Sequence, residues 1–248
     1  MKQSESQVRW LHVVVYYLIA CAISWPFFWW RDILHWEGFR GPGFLRTASI
    51  MWGPGISAII CLLLFRKTHK RTITFFGTDT VKSLIFWFAP LILLAILGVK
   101  DETGKTSHVF PLMLSVFAIF TVVGEELGWR GFLQDAVRPM KPVYRYMLIG
   151  IMWELWHFTN RTHDRTVLQA VTIVSIWAVT TIILSWIIGM AVEQSKSVVV
   201  ASAIHGWVNL VFEASELNTY ICAGFAIVLW IWLLKTWNKP FLRLKPST

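Results

Sequence analysis

Two adjacent carboxylates, Glu125 and Glu126, follow an apolar run and open the stretch "EELGWRGFLQ". A charged side chain at the centre of a bilayer costs about 2.5–3.5 kcal/mol, so such groups are rare in apolar runs and mark functional sites. Residues four apart share a helix face, and we therefore expect Glu126 and Arg130 to form an ion pair. Glu125 points about 100° away on the helix, which leaves its carboxylate free for chemistry.

Two histidines lie in other apolar runs, His157 before a polar loop and His205 four residues before Asn209. The stretch "RPMKP" (138–142) is typical of a turn between two helices of a hairpin. Glu125 and His157 lie on opposite sides of that turn, each about 20 Å from it at the helical rise per residue. We therefore expect them to meet, with His205 as a third member from another helix and with the site inside the membrane.

These residue types fit the hydrolysis of an amide. A carboxylate near two imidazoles can activate water as a general base, and an imidazole with an amide can stabilise an oxyanion. Glu125, His157 and His205 could also bind a divalent metal such as zinc, which would acidify a bound water. Glu154 lies three residues before His157 and could orient its ring or help a metal. The sequence leaves these alternatives open.

The elements that carry these residues are predicted to be membrane helices. The chain is 56% hydrophobic and 15% charged, whereas a soluble domain carries about 25% charged residues. Long apolar runs favour helices over a barrel, whose strands would alternate in polarity. The sequence predicts an all-α polytopic protein with about eight transmembrane helices in one bundle around an intramembrane polar cavity. The predicted runs are 11–30, 47–65, 83–99, 106–124, 146–160, 166–192, 197–212 and 217–234.

The net charge of +9 does not indicate nucleic-acid binding, because the basic residues form short clusters between apolar runs. Such clusters mark cytoplasmic loops. They place the N-terminal head, 66–82, 130–145, 193–197 and the C-terminal tail on one side, and both termini in the cytoplasm. We expect residues 1–248 to form a single membrane domain whose surroundings are the lipid bilayer.

Three stretches resemble the motifs of the CPBP family, the intramembrane endopeptidases of the CAAX-processing and bacteriocin-processing (Abi) type. These are "EELGWR" (125–130), "WELWH" (153–157) and "HGWVN" (205–209). The first motif of the family, Glu-Glu-x-x-x-Arg, is met by Glu125, Glu126 and Arg130. The second, Phe-x-x-x-His, is met by His157 with Trp153 in place of Phe, which we expect mainly to change the packing behind His157. The third is met by His205 and Asn209.

The resemblance covers a core of residues 107–213 and implies an eight-helix fold whose site opens to the cytoplasm and lipid. It implies cleavage of a peptide bond in a membrane-associated or prenylated CAAX-type protein. Glu125 and His157 would activate water, and His205 and Asn209 would support the oxyanion. Glu126 is kept among the candidate catalytic residues, with Arg130, Glu154 and Trp153 in support. The length resembles bacterial members, which predicts a bacterial plasma membrane; the need for a metal stays open.

Two other functions fit the same residues. The chain could be a non-catalytic membrane partner, such as a bacteriocin self-immunity or regulatory protein, since relatives include such proteins. It could also be a small transporter or proton relay, because acids and histidines inside spans mark ion paths. A transporter would be expected to show paired, discontinuous helices in two repeats, and the sequence shows no repeat.

Overall fold

The computed structural model describes residues 7–29, 44–100, 103–163, 165–214 and 216–239. This part of the chain contains nine α-helices, one π-helical segment and a two-stranded antiparallel hairpin. The helices are α1 (Trp10–Trp29), α2 (Phe44–Leu64), α3 (Thr80–Leu97), α4 (Phe110–Gly128), α5 (Gln134–Ala136), α6 (Pro142–Thr162), α7 (Val167–Ser195), α8 (Val198–Glu213) and α9 (Leu217–Lys235). The π-helical segment is Trp129–Leu133, and the strands are β1 (Val99–Lys100) and β2 (Thr106–Ser107).

The prediction of an all-helical membrane protein is confirmed. Every predicted apolar run falls on a helix, and all helices except α5 have 16 residues or more. In the described ranges, four helices are long and apolar enough to span a membrane, namely α1, α3, α7 and α9. The chain is therefore a multi-pass membrane protein. That α2, α4, α6 and α8 also cross, which would give eight spans, stays a prediction.

The helix boundaries follow from capping residues. The Asp79 side chain accepts the backbone N–H of Lys82 at 3.0 Å and caps α3. Thr166 and Gln169 form a reciprocal capping box at the start of α7, a pairing that satisfies two orphan N–H groups of a first turn. Lys196 adopts a left-handed backbone (φ 57°) at the end of α7, which allows the chain to turn sharply into α8.

Small residues bring α2 against α4, the helix that carries the two glutamates. A Cβ added at Gly55 would lie 2.6 Å from the carbonyl oxygen of Gly124, and one added at Gly124 would lie 2.8 Å from the Met51 carbonyl oxygen. Such close backbone approach is typical of membrane helix pairs. The helix α2 runs on through Pro54, and the glycines of "WGPG" (52–55) serve packing.

The segments that the charge pattern groups on one side of the membrane meet at one end of the bundle. The contacts join His12 Nε2 to Thr68 Oγ1 (3.2 Å), Thr74 N to Lys196 O (2.9 Å), Arg145 Nη1 to Glu193 Oε1 (2.7 Å) and Lys82 Nζ to Trp237 O (2.6 Å). These contacts make neighbours of five segments: the N-terminal head, the 66–82 loop, the 130–145 hairpin, the 193–197 turn and the end of α9. That this end faces the cytoplasm stays a prediction.

The hairpin turn expected at 138–142 is present between α5 and α6. Three charged residues around the turn, Arg130, Asp135 and Arg145, are buried. Neighbouring polar groups satisfy their charges. The Asp135 carboxylate, for example, accepts the backbone N–H groups of Thr72 at 2.6 Å and Ile73 at 3.0 Å.

Candidate active site

The two glutamates lie in the last turn of α4, where the helix changes to the π-helical segment. The carbonyl oxygens of both Glu125 and Glu126 accept the backbone N–H of Trp129. The side chains are 2% and 0% exposed, respectively. Short π-helical segments occur often at functional sites, and this one places Arg130 beside the glutamates. The sequence pattern indicates a regular helix here and gives no sign of the π segment.

Glu126 joins α4 to α8. Its Oε2 lies 3.3 Å from Arg130 Nη1, which confirms the predicted ion pair, and its Oε1 lies 2.8 Å from Nδ1 of His205. An ionised carboxylate only accepts hydrogen bonds, so Nδ1 of His205 is the donor. The Nε2 atom of His205 then points away from this bond and is available for chemistry, as in other carboxylate–histidine pairs. The sequence did not predict that Glu126 would hold His205.

Glu125 is held by a side chain from α6. The indole Nε1 of Trp153 donates to Glu125 Oε2 at 2.8 Å. The Trp153 ring also lies 4.9 Å from the ring of His205 and 5.1 Å from the guanidinium carbon of Arg130. Trp153 thus joins Glu125 to the group formed by Glu126, Arg130 and His205. We call these five residues the cluster. The expectation that Trp in place of Phe mainly changes packing is incomplete, because the indole supplies a hydrogen-bond donor that phenylalanine lacks.

His157 lies one turn after Trp153 and is half-buried. Its Nδ1 is 3.1 Å from the Trp153 carbonyl oxygen, which can only accept, so the proton is on Nδ1 and Nε2 carries the free lone pair. The ring packs on Trp156 with centroids 4.5 Å apart. The hydrogen bond to Glu125 across the hairpin comes from Trp153, one turn before His157. That His157 itself meets Glu125 stays a prediction.

Glu154 is buried and faces a cation on its own helix; that it orients His157 or helps a metal stays a prediction. Its Oε1 lies 3.5 Å from Nε of Arg161, two turns further along α6. The Arg161 guanidinium carbon in turn lies 4.0 Å from the ring centroid of Trp177 on α7. This chain of contacts fixes the end of α6 against α7. Arg161 was missed in the sequence, although its position seven residues after Glu154 puts the two on one face.

Asn209 shows no polar contact with the cluster residues within the part of the chain that the structure describes. It lies one turn after His205 on α8, but its side chain is exposed, and it makes no hydrogen bond with the described residues. Within the same ranges, no three His, Cys, Asp or Glu side chains form a group that could hold a metal ion. Both oxygens of Glu126 are engaged by Arg130 and His205. The arrangement therefore does not fit a zinc centre built from Glu125, His157 and His205.

Comparisons with known proteins identify the same part of the chain. Residues 107–211 match the family model described as Type II CAAX prenyl endopeptidase Rce1-like. A protein of Methanococcus maripaludis named CAAX prenyl protease 2 is 31% identical over an alignment of 127 residues, which covers 46% of this chain and 42% of that protein. The chain thus spans less than half the length of this relative. No solved structure matches.

Proposed function

We propose that the chain is an intramembrane endopeptidase, because residues 107–211 match the family model described as Type II CAAX prenyl endopeptidase Rce1-like. The observation that carries the proposal is the buried cluster shared by α4, α6 and α8. In it, Trp153 contacts Glu125 at 2.8 Å and the His205 ring at 4.9 Å. The proposed substrate is a membrane-associated protein or peptide, including one with a prenylated CAAX terminus.

We assign Glu125 as the general base. It takes a proton from water while the water oxygen attacks the carbonyl carbon of the scissile peptide bond. The C–N bond then breaks, and the proton passes to the leaving amine. His157, whose Nε2 lone pair is free, assists in activating the water. No step requires a group other than the side chains, the peptide and water.

His205 is assigned to the oxyanion. Glu126 fixes its ring by accepting from Nδ1 at 2.8 Å. Arg130 in turn holds Glu126, because its Nη1 lies 3.3 Å from Glu126 Oε2. With protons on both Nδ1 and Nε2 the ring is an imidazolium. Its Nε2–H donates to the negative oxygen of the tetrahedral intermediate, a type of stabilisation worth about 2.7–4 kcal/mol where measured. The assignment of Asn209 to the same oxyanion rests on the motif resemblance alone.

A large apolar groove supports a substrate with an apolar anchor. It has a cavity volume of about 810 Å³ and lies among α3, α7, α8 and α9. Ile204 and Val208, which flank His205 in the sequence of α8, both line it. We propose that this groove holds the lipid or apolar part of the substrate. The proposal includes a single membrane domain in a bacterial plasma membrane, with the cluster reached from the cytoplasm.

The test is cleavage of a fluorogenic peptide panel by the purified protein in lipid, with a farnesylated CAAX peptide included. Glu125→Gln and His205→Ala are expected to abolish cleavage, because each removes a group that acts on the reacting atoms. Glu216→Gln is the matched acid control and His108→Ala the matched histidine control, since both residues lie outside the cluster. The controls are expected to cleave at the wild-type rate.

Cleavage that survives Glu125→Gln would refute the assigned base. If folded wild-type protein cleaves none of the peptides, that result would favour the alternative function, a non-catalytic membrane partner. The same assay with a metal chelator tests whether cleavage needs a metal. Loss of cleavage on chelation, restored by zinc, would show that the substrate-bound protein brings together metal ligands that lie apart in this structure.

A further inference from the structure

A basic cavity lies outside the cluster, at the end of the bundle where the positively charged segments meet. It has a volume of about 240 Å³ and is formed by three segments: the start of α1, the turn after α2 and the α5–α6 turn. Of the described residues that line it, three are cations, one from each segment: Arg9, Lys70 and Arg138. Nothing in the proposed peptidase chemistry uses this cavity.

The carboxylate in the cavity is already engaged. Asp135 accepts the backbone N–H groups of Thr72 (2.6 Å) and Ile73 (3.0 Å) and the Thr72 hydroxyl (2.6 Å). It also accepts Nε of Arg138 at 3.1 Å. The negative charge of Asp135 is therefore neutralised within the protein, and the lining keeps a surplus of positive charge.

Two lining side chains hold buried polar atoms that have no hydrogen-bond partner among the described residues, Nη2 of Arg138 and Nε2 of His69. A buried polar atom left unpaired costs about 1–3 kcal/mol, so such atoms are normally satisfied by a ligand or water. The Arg9 and Lys70 side chains form no ion pair within the described ranges. Burial lowers the pKa of His69, so its ring is neutral near pH 7. Arg138 is paired with Asp135 at 3.1 Å and Glu193 at 3.4 Å, so the surplus positive charge comes from Arg9 and Lys70.

We propose that this cavity binds a phosphate group, and that its source is the headgroup of an anionic phospholipid. Arginine presents several donors in a fixed fork that matches phosphate oxygens. Basic pockets between membrane helices at the cytoplasmic surface are suited to such headgroups. Leu11 and Val14, just after the cavity residues of α1, are 67% and 51% exposed, and they offer the acyl chains an apolar surface below the headgroup.

The experiment measures thermal unfolding of the full chain in nanodiscs. The arms are phosphatidylcholine alone, phosphatidylcholine with phosphatidylglycerol, and phosphatidylcholine with added inorganic phosphate. A ligand that binds only the folded state raises Tm, so phosphatidylglycerol is expected to raise the Tm of the wild type. The variant is Arg9→Gln/Lys70→Gln, which removes two cations that hold no described partner and so leaves the fold intact.

Each cation near an anionic surface contributes about a fivefold gain in affinity, so the double variant is expected to bind phosphatidylglycerol about 25-fold more weakly. Arg66→Gln is the matched control, because Arg66 is exposed on the same turn and does not line the cavity. It should keep the wild-type response. Equal loss in Arg66→Gln would mean a nonspecific charge effect and would overturn the site. Stabilisation by inorganic phosphate without any by phosphatidylglycerol would overturn the lipid source.

Discussion

Replacing Trp153 with phenylalanine removes one buried N–H donor from the cluster and keeps an aromatic ring in its place. The donor lies 2.8 Å from Glu125 Oε2, and the indole is 3% exposed, so water cannot easily replace it. Trp153 acts through Glu125 and is a positioning residue for the proposed base. Phenylalanine is also the residue that the family motif has at this place, so the substitution is compatible with the fold.

The size of the effect follows from the bond. A hydrogen bond to a charged group contributes about 1.5–3 kcal/mol, and about 1.36 kcal/mol corresponds to a tenfold change in rate. If this bond sets the orientation of Glu125, kcat should fall about 10- to 150-fold. KM should change little, because an interaction needed only in the transition state lowers kcat and kcat/KM together.

The assay is steady-state cleavage of a peptide that the wild type cuts, with Tm measured on the same samples. Trp87→Phe is the matched control, because Trp87 is 5% exposed on α3 and its Nε1 has no hydrogen-bond partner within the described ranges. It reproduces the loss of ring volume without loss of a bond. Equal kcat in the two variants would refute the positioning role of Trp153.

A double-mutant cycle on stability separates the bond from the ring. Trp153→Phe should destabilise the wild type more than it destabilises Glu125→Gln, by the difference between a charged hydrogen bond, about 1.5–3 kcal/mol, and a neutral one, about 0.5–1.5 kcal/mol. The neutral amide of glutamine accepts a weaker bond, so the two backgrounds should differ. Identical destabilisation in both would show that the indole contributes packing alone.

Three other substitutions test the packing that holds the site. Arg130→Met leaves the buried Glu126 carboxylate without its cation and should destabilise the protein by about 3–5 kcal/mol, seen as a lower Tm. Gly55→Ala places a Cβ 2.6 Å from the Gly124 carbonyl oxygen and should cost about 1–3 kcal/mol, whereas Gly224→Ala, which has no atom within 4 Å of its added Cβ, should not lower Tm. Lys82→Met removes an ammonium that donates to three carbonyl oxygens near the end of α9. It should increase proteolysis of that end in limited digestion, and an unchanged digestion pattern would contradict the argument.

The sequence predicts contacts within one helix better than contacts between helices. Apolar runs locate the helices, and the i, i+4 spacing of Glu126 and Arg130 predicts their ion pair, because both depend on helix geometry alone. The contact of Glu125 depends on the register of two helices across a turn. The π segment Trp129–Leu133 is absent from a count along an ideal helix, and such a count does not identify Trp153 as the donor to Glu125.

The bond between Glu126 and His205 depends on tertiary packing and has no local signal. The two residues are 79 positions apart, and nothing in the spacing of either motif says which of two adjacent glutamates faces α8. The burial of Asp135 is a similar case. An acid beside a predicted turn is normally solvated, and here the backbone N–H groups of a distant loop at Thr72 and Ile73 satisfy it.

Helix α1 lies outside the family match and carries none of the three motifs, but its side chains contact the backbone of the helix that carries Trp153 and His157. On α1, the Tyr17 hydroxyl donates to the carbonyl oxygen of Met152 at 3.1 Å, and Trp25 Nε1 donates to that of Trp156 at 3.1 Å. These carbonyls directly precede Trp153 and His157 in the chain. Since side-chain bonds to a helix backbone fix its rotation, α1 sets the direction in which α6 presents both residues. The chemistry proposed for the matched residues 107–211 therefore depends on donors that lie outside them.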